Sequence, residues 1–181
     1  MTARAGRLIA VDGINGTAVL AAAKEALAES DRTRRGGISR WDASGVFEEL
    51  TVADANAGAP SARTLLLLYA ADLAFRLRWE VRPALAEGRA IVAAPYVDTA
   101  VAFGRAAGIP GPWLTNLFQF APRPNEKRVV TGHGARAVSD REGFVEFGWA
   151  HWSEPVDLKR RLILDRAAAH LHAVARRRPG R

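Results

Sequence analysis

The chain of 181 residues has no cysteine, one methionine, two tyrosines and four histidines. Without cysteine there can be no disulfide, no thiolate metal site and no cysteine nucleophile. No Gly-x-Ser-x-Gly stretch offers a serine elbow. His170 and His172 are two apart on a helical pattern and diverge, and His133 and His151 could meet only through folding. No metal site is therefore expected. Long apolar runs are also missing: nothing approaches the ~20 uninterrupted apolar residues of a membrane span. The N-terminal run "LIAV" is too short for a secretory signal, so a cytoplasmic protein with no membrane partner is expected. Lysine is scarce. The net charge of +7 comes mainly from arginine, spread along the chain apart from "RTRR" at 32–35 and a basic tail at 176–181. Dispersed charge reads as solvated surface, so nucleic acid is not expected as a partner.

What remains suits one folded domain over residues 1–181, with 49% hydrophobic and 25% charged residues. "RLIAV" at 7–11 reads as a buried strand feeding a turn at Asp12-Gly13, with a helix from Thr17 to about Glu29. "ISRW" at 38–41, "RAIVAA" at 89–94 and "KRVVTG" at 127–132 are three more strands. "DASGVFEEL" starts a short helix and "ADANAGAPS" is a linker. The strongest helical signal opens at Pro60-Ser61 and runs about six turns; Pro83 should kink or end it and Gly88 should close it. Short helices fit 99–107 and 112–120. A terminal amphipathic helix points Leu158, Leu164, Ala168, Leu171 and Ala175 towards the core. Strands alternating with helices predict an α/β fold, a parallel sheet with helices on both faces. The aromatics of 144–152 could floor an apolar pocket, form a partner surface or pack in the core.

"GINGTAVL" at 13–20 has the outline of a phosphate loop. Such a loop points backbone N–H groups at an anion, sets a helix N-terminus behind them, and adds a lysine for the β/γ-phosphates and a hydroxyl for Mg²⁺. Asp12, Gly13, Asn15, Gly16 and Thr17 keep the outline, but Val19 and Leu20 stand at the lysine and hydroxyl positions. Lys24 lies five residues further on, about 7.5 Å along the axis, and is rotated away. Taken alone, the segment fits a plain strand-turn-helix as well as a former phosphate loop.

"RLIAVDGINGT", then "LLLLYAADLAFRLRWEVRPALAEGRAIVAAPYVDTAVAF", then "PWLTNLFQFAP" resembles the thymidylate kinase family in content and order over roughly residues 6–131. The resemblance implies a P-loop-type fold, a homodimer, and transfer of the γ-phosphoryl of ATP to thymidine monophosphate with Mg²⁺. It also exposes losses. The family's Asp-Arg-Tyr triplet reads Ala94-Pro95-Tyr96, the arginine after Ala-Asp is Leu73 behind Asp72, and the loop acid near the metal is Asn15. Other positions match: Arg40 where the family holds an acceptor-phosphate arginine, Tyr69 where an aromatic stacks on the base, and Asp98 and Phe103 around the acceptor sugar and base. Arg136 and Arg141 fall in the mobile lid. Bland readings stand beside these, with Tyr69 and Phe103 as core aromatics, Asp98 as a helix N-cap, and Arg136 and Arg141 as loop arginines.

Phosphoryl transfer depends on positioning and positive charge, and one such donor is worth ~3 kcal/mol or more. With lysine, hydroxyl and two arginines gone together, the expectation is a pseudoenzyme with no cofactor. Such a protein would bind a nucleotide-like small molecule or a protein partner. The alternatives are an active ATP- and Mg²⁺-dependent kinase relying on lid arginines, and a repurposed enzyme acting in the old acceptor pocket.

Overall fold

The computed structural model describes residues 5–14, 16–46, 61–130 and 158–176. Of the expected helix over 42–50 only 42–46 are described, and 42–44 form a turn; the linker, the lid, the 144–152 aromatics and the last five residues fall wholly or largely outside them.

Four parallel strands form one sheet in the order β2-β3-β1-β4: β1 Arg7–Gly13, β2 Arg35–Arg40, β3 Ala90–Ala94 and β4 Glu126–Val130. Central β1 and β3 are nearly continuous apolar runs because helices cover both of their faces. Residues alternate between two cores. Leu8, Ala10, Ile91 and Ala93 pack under helix α2 (Ala62–Arg76), where Leu65, Leu66, Tyr69 and Leu73 meet them. Ile9, Val11, Val92 and Ala94 pack against α1 (Gly16–Ala28) through Val19, Ala23 and Ala26.

Ser61 caps α2, its Oγ accepting from the Thr64 N–H at 3.1 Å. Pro83 does not end the helix. The chain stays helical through a π-turn, Leu77–Val81, into a short α3, Arg82–Ala86. Proline lacks an N–H and crowds the carbonyl four residues back. The wider turn, in which the Arg82 N–H reaches the Leu77 carbonyl, absorbs that conflict. Gly88, at φ +69°, ends the helix as expected, with the Arg89 N–H donating back to the Ala84 carbonyl at 2.8 Å.

Helices α4 (Val97–Ala106) and α5 (Gly111–Phe118) follow β3, and the terminal α6 (Leu158–Arg176) packs chiefly along α4. Ala168 and Leu171 are buried there, as the helical pattern predicts. No described helix is long and apolar enough to cross a membrane.

Candidate functional site

Because all four strands run parallel, their carboxyl ends share one edge. Arg40 closes β2 opposite Ala94 of β3, and Asp12-Gly13 closes β1 opposite Val129 and Val130 of β4. The chain leaves β1 for β2 and β3 on one side and returns to β4 on the other. The crevice between the ends of β1 and β3 is thus the topological switch point, where open α/β sheets place their ligands.

Asp12 holds the crevice together. It is 1% exposed, and its Oδ1 accepts from the Tyr96 N–H (2.9 Å), the Thr99 N–H (3.0 Å) and the Thr99 hydroxyl (2.7 Å). These donors belong to the first turn of α4, so a carboxylate from β1 caps a helix that follows β3. The Gly13 N–H donates to Thr99 Oγ1 at 3.0 Å and completes the tie. Burial, and then the nearby Asp98 charge, push the Asp12 carboxyl up to about 6 against the pull of its donors. Asp12 Oδ2 is buried with no hydrogen-bond partner.

Gly13 creates room that the chain itself fills. A Cβ on Gly13 would lie 2.7 Å from Val19 Cγ2 and 3.1 Å from both Val130 Cβ and Val130 O. Val19 is 2% exposed within the Ile9, Val11 and Val92 cluster. The helix also starts early, at Gly16, so only Ile14 and Asn15 separate it from β1. A Gly-x-x-x-x-Gly loop needs twice that length to curl around an anion. Gly16 is buried and Thr17 exposed, while Asn15 lies outside the described residues.

Below the crevice, Asp72 and Arg76 form a fully buried i,i+4 pair, with Nε 2.9 Å from Oδ2. Asp72 also accepts from the N–H groups of Asp42 (3.0 Å) and Ser44 (3.1 Å) and from the Ser44 hydroxyl (3.0 Å). It therefore pins the chain just after β2 to α2. Arg76 Nη1 donates to the Pro95 carbonyl at 3.0 Å, its guanidinium lies 5.5 Å from the Tyr69 ring centroid, and Nη2 is buried without a partner. The Tyr69 hydroxyl donates to the Tyr96 carbonyl at 2.6 Å, and the Tyr96 hydroxyl to the Pro122 carbonyl at 2.7 Å. Burial raises both phenols above their ordinary value, so both remain neutral donors. Tyr69, Asp72, Tyr96 and Phe103 are all at most 3% exposed and form the inner frame of the crevice. Asp98 is not the N-cap of α4, a position held by Tyr96; its oxygens accept from Lys127 Nζ at 2.7 and 2.9 Å. Arg40 stands exposed on the rim, and Arg136 and Arg141 lie outside the described residues.

A probable thymidylate kinase of Pyrobaculum calidifontis is 30% identical over 136 residues, 72% of this chain and 66% of that protein. The chain belongs to the thymidylate kinase family. The match spans just under two thirds of that relative's length. A probable thymidylate kinase of Pyrococcus horikoshii matches over 59 residues at 37% identity, 33% of this chain and 29% of that one. No family model matches. The crystal structure of thymidylate kinase from Ehrlichia chaffeensis superposes with a TM-score of 0.64 over 98% of this chain and 84% of that one; at 13% identity it speaks for the fold.

Against the family pattern, Val19 stands at the lysine position, and its Cγ2 lies 2.7 Å from where a Cβ on Gly13 would stand. The residues present do not fit ATP and Mg²⁺. The lysine position is buried hydrocarbon, Val19 at 2% exposed, and the hydroxyl position beside it is Leu20. Sequence reasoning missed Arg76, Thr99 and Lys127. A signal for Arg76 existed: in "YAADLAFRL" an acid and a base four apart share the turns that carry Tyr69, Leu73 and Leu77 inward.

Proposed function

We propose that this protein is a thymidylate kinase relative that works by binding and does not transfer phosphoryl groups efficiently. The observation that supports this most is the Val19 methyl seated over Gly13. A triphosphate there would meet apolar side chains at Val19 and Pro95, and desolvating an anion against hydrocarbon is unfavourable. What the crevice retains is compatible with recognition of a nucleotide-like small molecule: Arg40 exposed on the rim, above a buried frame of Tyr69, Tyr96 and Asp12. A protein partner seated on the same edge belongs to the same reading. A cytoplasmic homodimer is the family expectation carried with it.

The test is a coupled ATP-consumption assay with thymidine monophosphate, run beside thermal shifts with nucleotides and nucleosides. Turnover at background with a saturable melting-temperature rise for a nucleotide-like ligand supports the proposal. Turnover near 1 s⁻¹ or faster, about what kinases reach, sinks it. The second reading, an active kinase, is favoured by the similarity to the probable thymidylate kinases of Pyrobaculum and Pyrococcus. It needs cations from Arg136 and Arg141, and loss of turnover in the Arg136→Ala, Arg141→Ala variant would support it.

A further inference from the structure

Three of the five large apolar side chains exposed among the described residues stand on one helix: Leu67 (52%), Phe75 (40%) and Trp79 (61%). They lie on the outward side of α2 and of the π-turn that continues it, away from the buried Tyr69, Asp72 and Arg76 that frame the crevice. With Ala71 they form a row at a spacing of four, about 18 Å long at ~1.5 Å per residue. Such a row is the ridge that one helix sets into the groove of another.

The sequence makes this row its own counterpart. Leu67 and Phe75 each stand four residues from Ala71, and Arg63 and Trp79 each stand eight. Two copies crossing antiparallel at Ala71 would set Leu67 of each against Phe75 of the other, with methyl groups alone at the crossing point. Ala71 and Ala74 are both exposed, so nothing bulky holds the two backbones apart. The three large side chains offer roughly 300–400 Å² of apolar surface, enough for the centre of an interface of about 800 Å² a side. The rim has one sign of charge. Arg63, Arg78 and Arg82 are exposed, whereas the acids of this stretch are the buried Asp72 and the half-buried Glu80. An acidic peptide or an anionic membrane would match that charge but has no use for a row symmetric about Ala71. A second copy matches the row and must tolerate the charge.

We propose that the outward face of α2 is a homodimer interface, two copies pairing about a two-fold axis at Ala71. This deepens the homodimer expectation by naming its face and symmetry, and it holds whether or not the chain transfers phosphoryl groups. Arg63 of one copy and Arg78 of the other converge with no carboxylate between them. Added salt screens that repulsion, so it should tighten the dimer, the reverse of its effect on contacts held by ion pairs.

The test uses the full chain, which has no cysteine of its own. Sedimentation equilibrium should show a dimer with a Kd on the order of 10 μM, tightening at least threefold between about 50 and 500 mM NaCl. Phe75→Ser with Trp79→Ser should weaken it at least tenfold and leave the chain folded by circular dichroism, since both side chains are exposed. Under oxidation Ala71→Cys should cross-link to itself, and Leu67→Cys should cross-link to Phe75→Cys in a mixture faster than either does alone. Cross-linking decides the matter even where the double variant unfolds. A chain that stays monomeric at about 100 μM, ten times the expected Kd, would overturn the proposal. So would a dimer that survives the double variant, or one in which Ala71→Cys does not cross-link. Recruitment of a monomer through Trp79 by phosphatidylglycerol vesicles or a glutamate-rich peptide would assign the face to another occupant and overturn it too.

Discussion

Val19 Cγ2 lies 2.7 Å from the point where a Cβ on Gly13 would stand, so one residue's missing side chain is the other's packing site. Gly13→Ala should destabilise the fold by about 1–3 kcal/mol through overpacking. Val19→Ala removes the clashing methyl, so Gly13→Ala should cost less in that background. Part of the cost stays, because the Val130 carbonyl is still 3.1 Å away. Urea unfolding of the four members of the double-mutant cycle measures the coupling. Full additivity would mean the contact carries no energy.

The buried Asp12 makes stability depend on pH. Its carboxyl sits at about 6 in the folded chain against an ordinary 3.8, so the folded state holds the proton more tightly than the unfolded state. The stabilisation is fully present below 3.8 and is lost as pH rises through about 6. The total is on the order of 3 kcal/mol for a group this deeply buried. Asp12→Asn keeps the oxygen that caps α4 and removes the titration, so it should flatten stability across that window. Urea midpoints measured from pH 4 to 7 decide it; an unchanged slope in the variant would assign the effect to another group.

Asp72 and Arg76 should be costly to separate and cheaper to replace together. Arg76→Met strands a buried carboxylate and should cost about 3–5 kcal/mol. Arg76→Met with Asp72→Asn neutralises both charges and should recover part of that. Asp72→Ala alone should in addition speed hydrogen exchange at the Asp42 and Ser44 amides, which donate to its oxygens. Unchanged exchange there would show that the chain after β2 is held by other contacts.

The sheet was legible in the sequence because parallel central strands are unbroken apolar runs: "RLIAV" and "RAIVAA" announce β1 and β3. β2 was seen from Ile38 onward and begins at Arg35, since Arg35-Gly36-Gly37 carries no strand pattern and its register shifts within it. Pro83 does not end the helix for a definable reason: the cost of a helical proline is a local clash, and a five-residue π-turn before it relieves that clash. In the crevice, Asp12 and Gly13 were readable from the strand-turn-helix pattern. Their partners were not, because Tyr96 and Thr99 reach Asp12 across 84 and 87 residues of sequence.

Asp98 links the rim to the buried acid. After burial, its charge is the next cause that raises Asp12, while its own oxygens hold Lys127 Nζ on β4. Asp98→Asn should lower the Asp12 carboxyl below about 6, since the Asp98 charge is the second cause of the rise after burial. The pH window over which stability is lost should narrow from its upper end. Breaking the part-exposed Asp98–Lys127 pair should itself cost no more than about 1 kcal/mol. A carbon-detected NMR titration of the Asp12 carboxyl in both chains separates these effects. A midpoint that does not move would show that Asp98 is screened from Asp12, and that burial and the Thr99 and Tyr96 donors set the charge state at the switch point of the sheet.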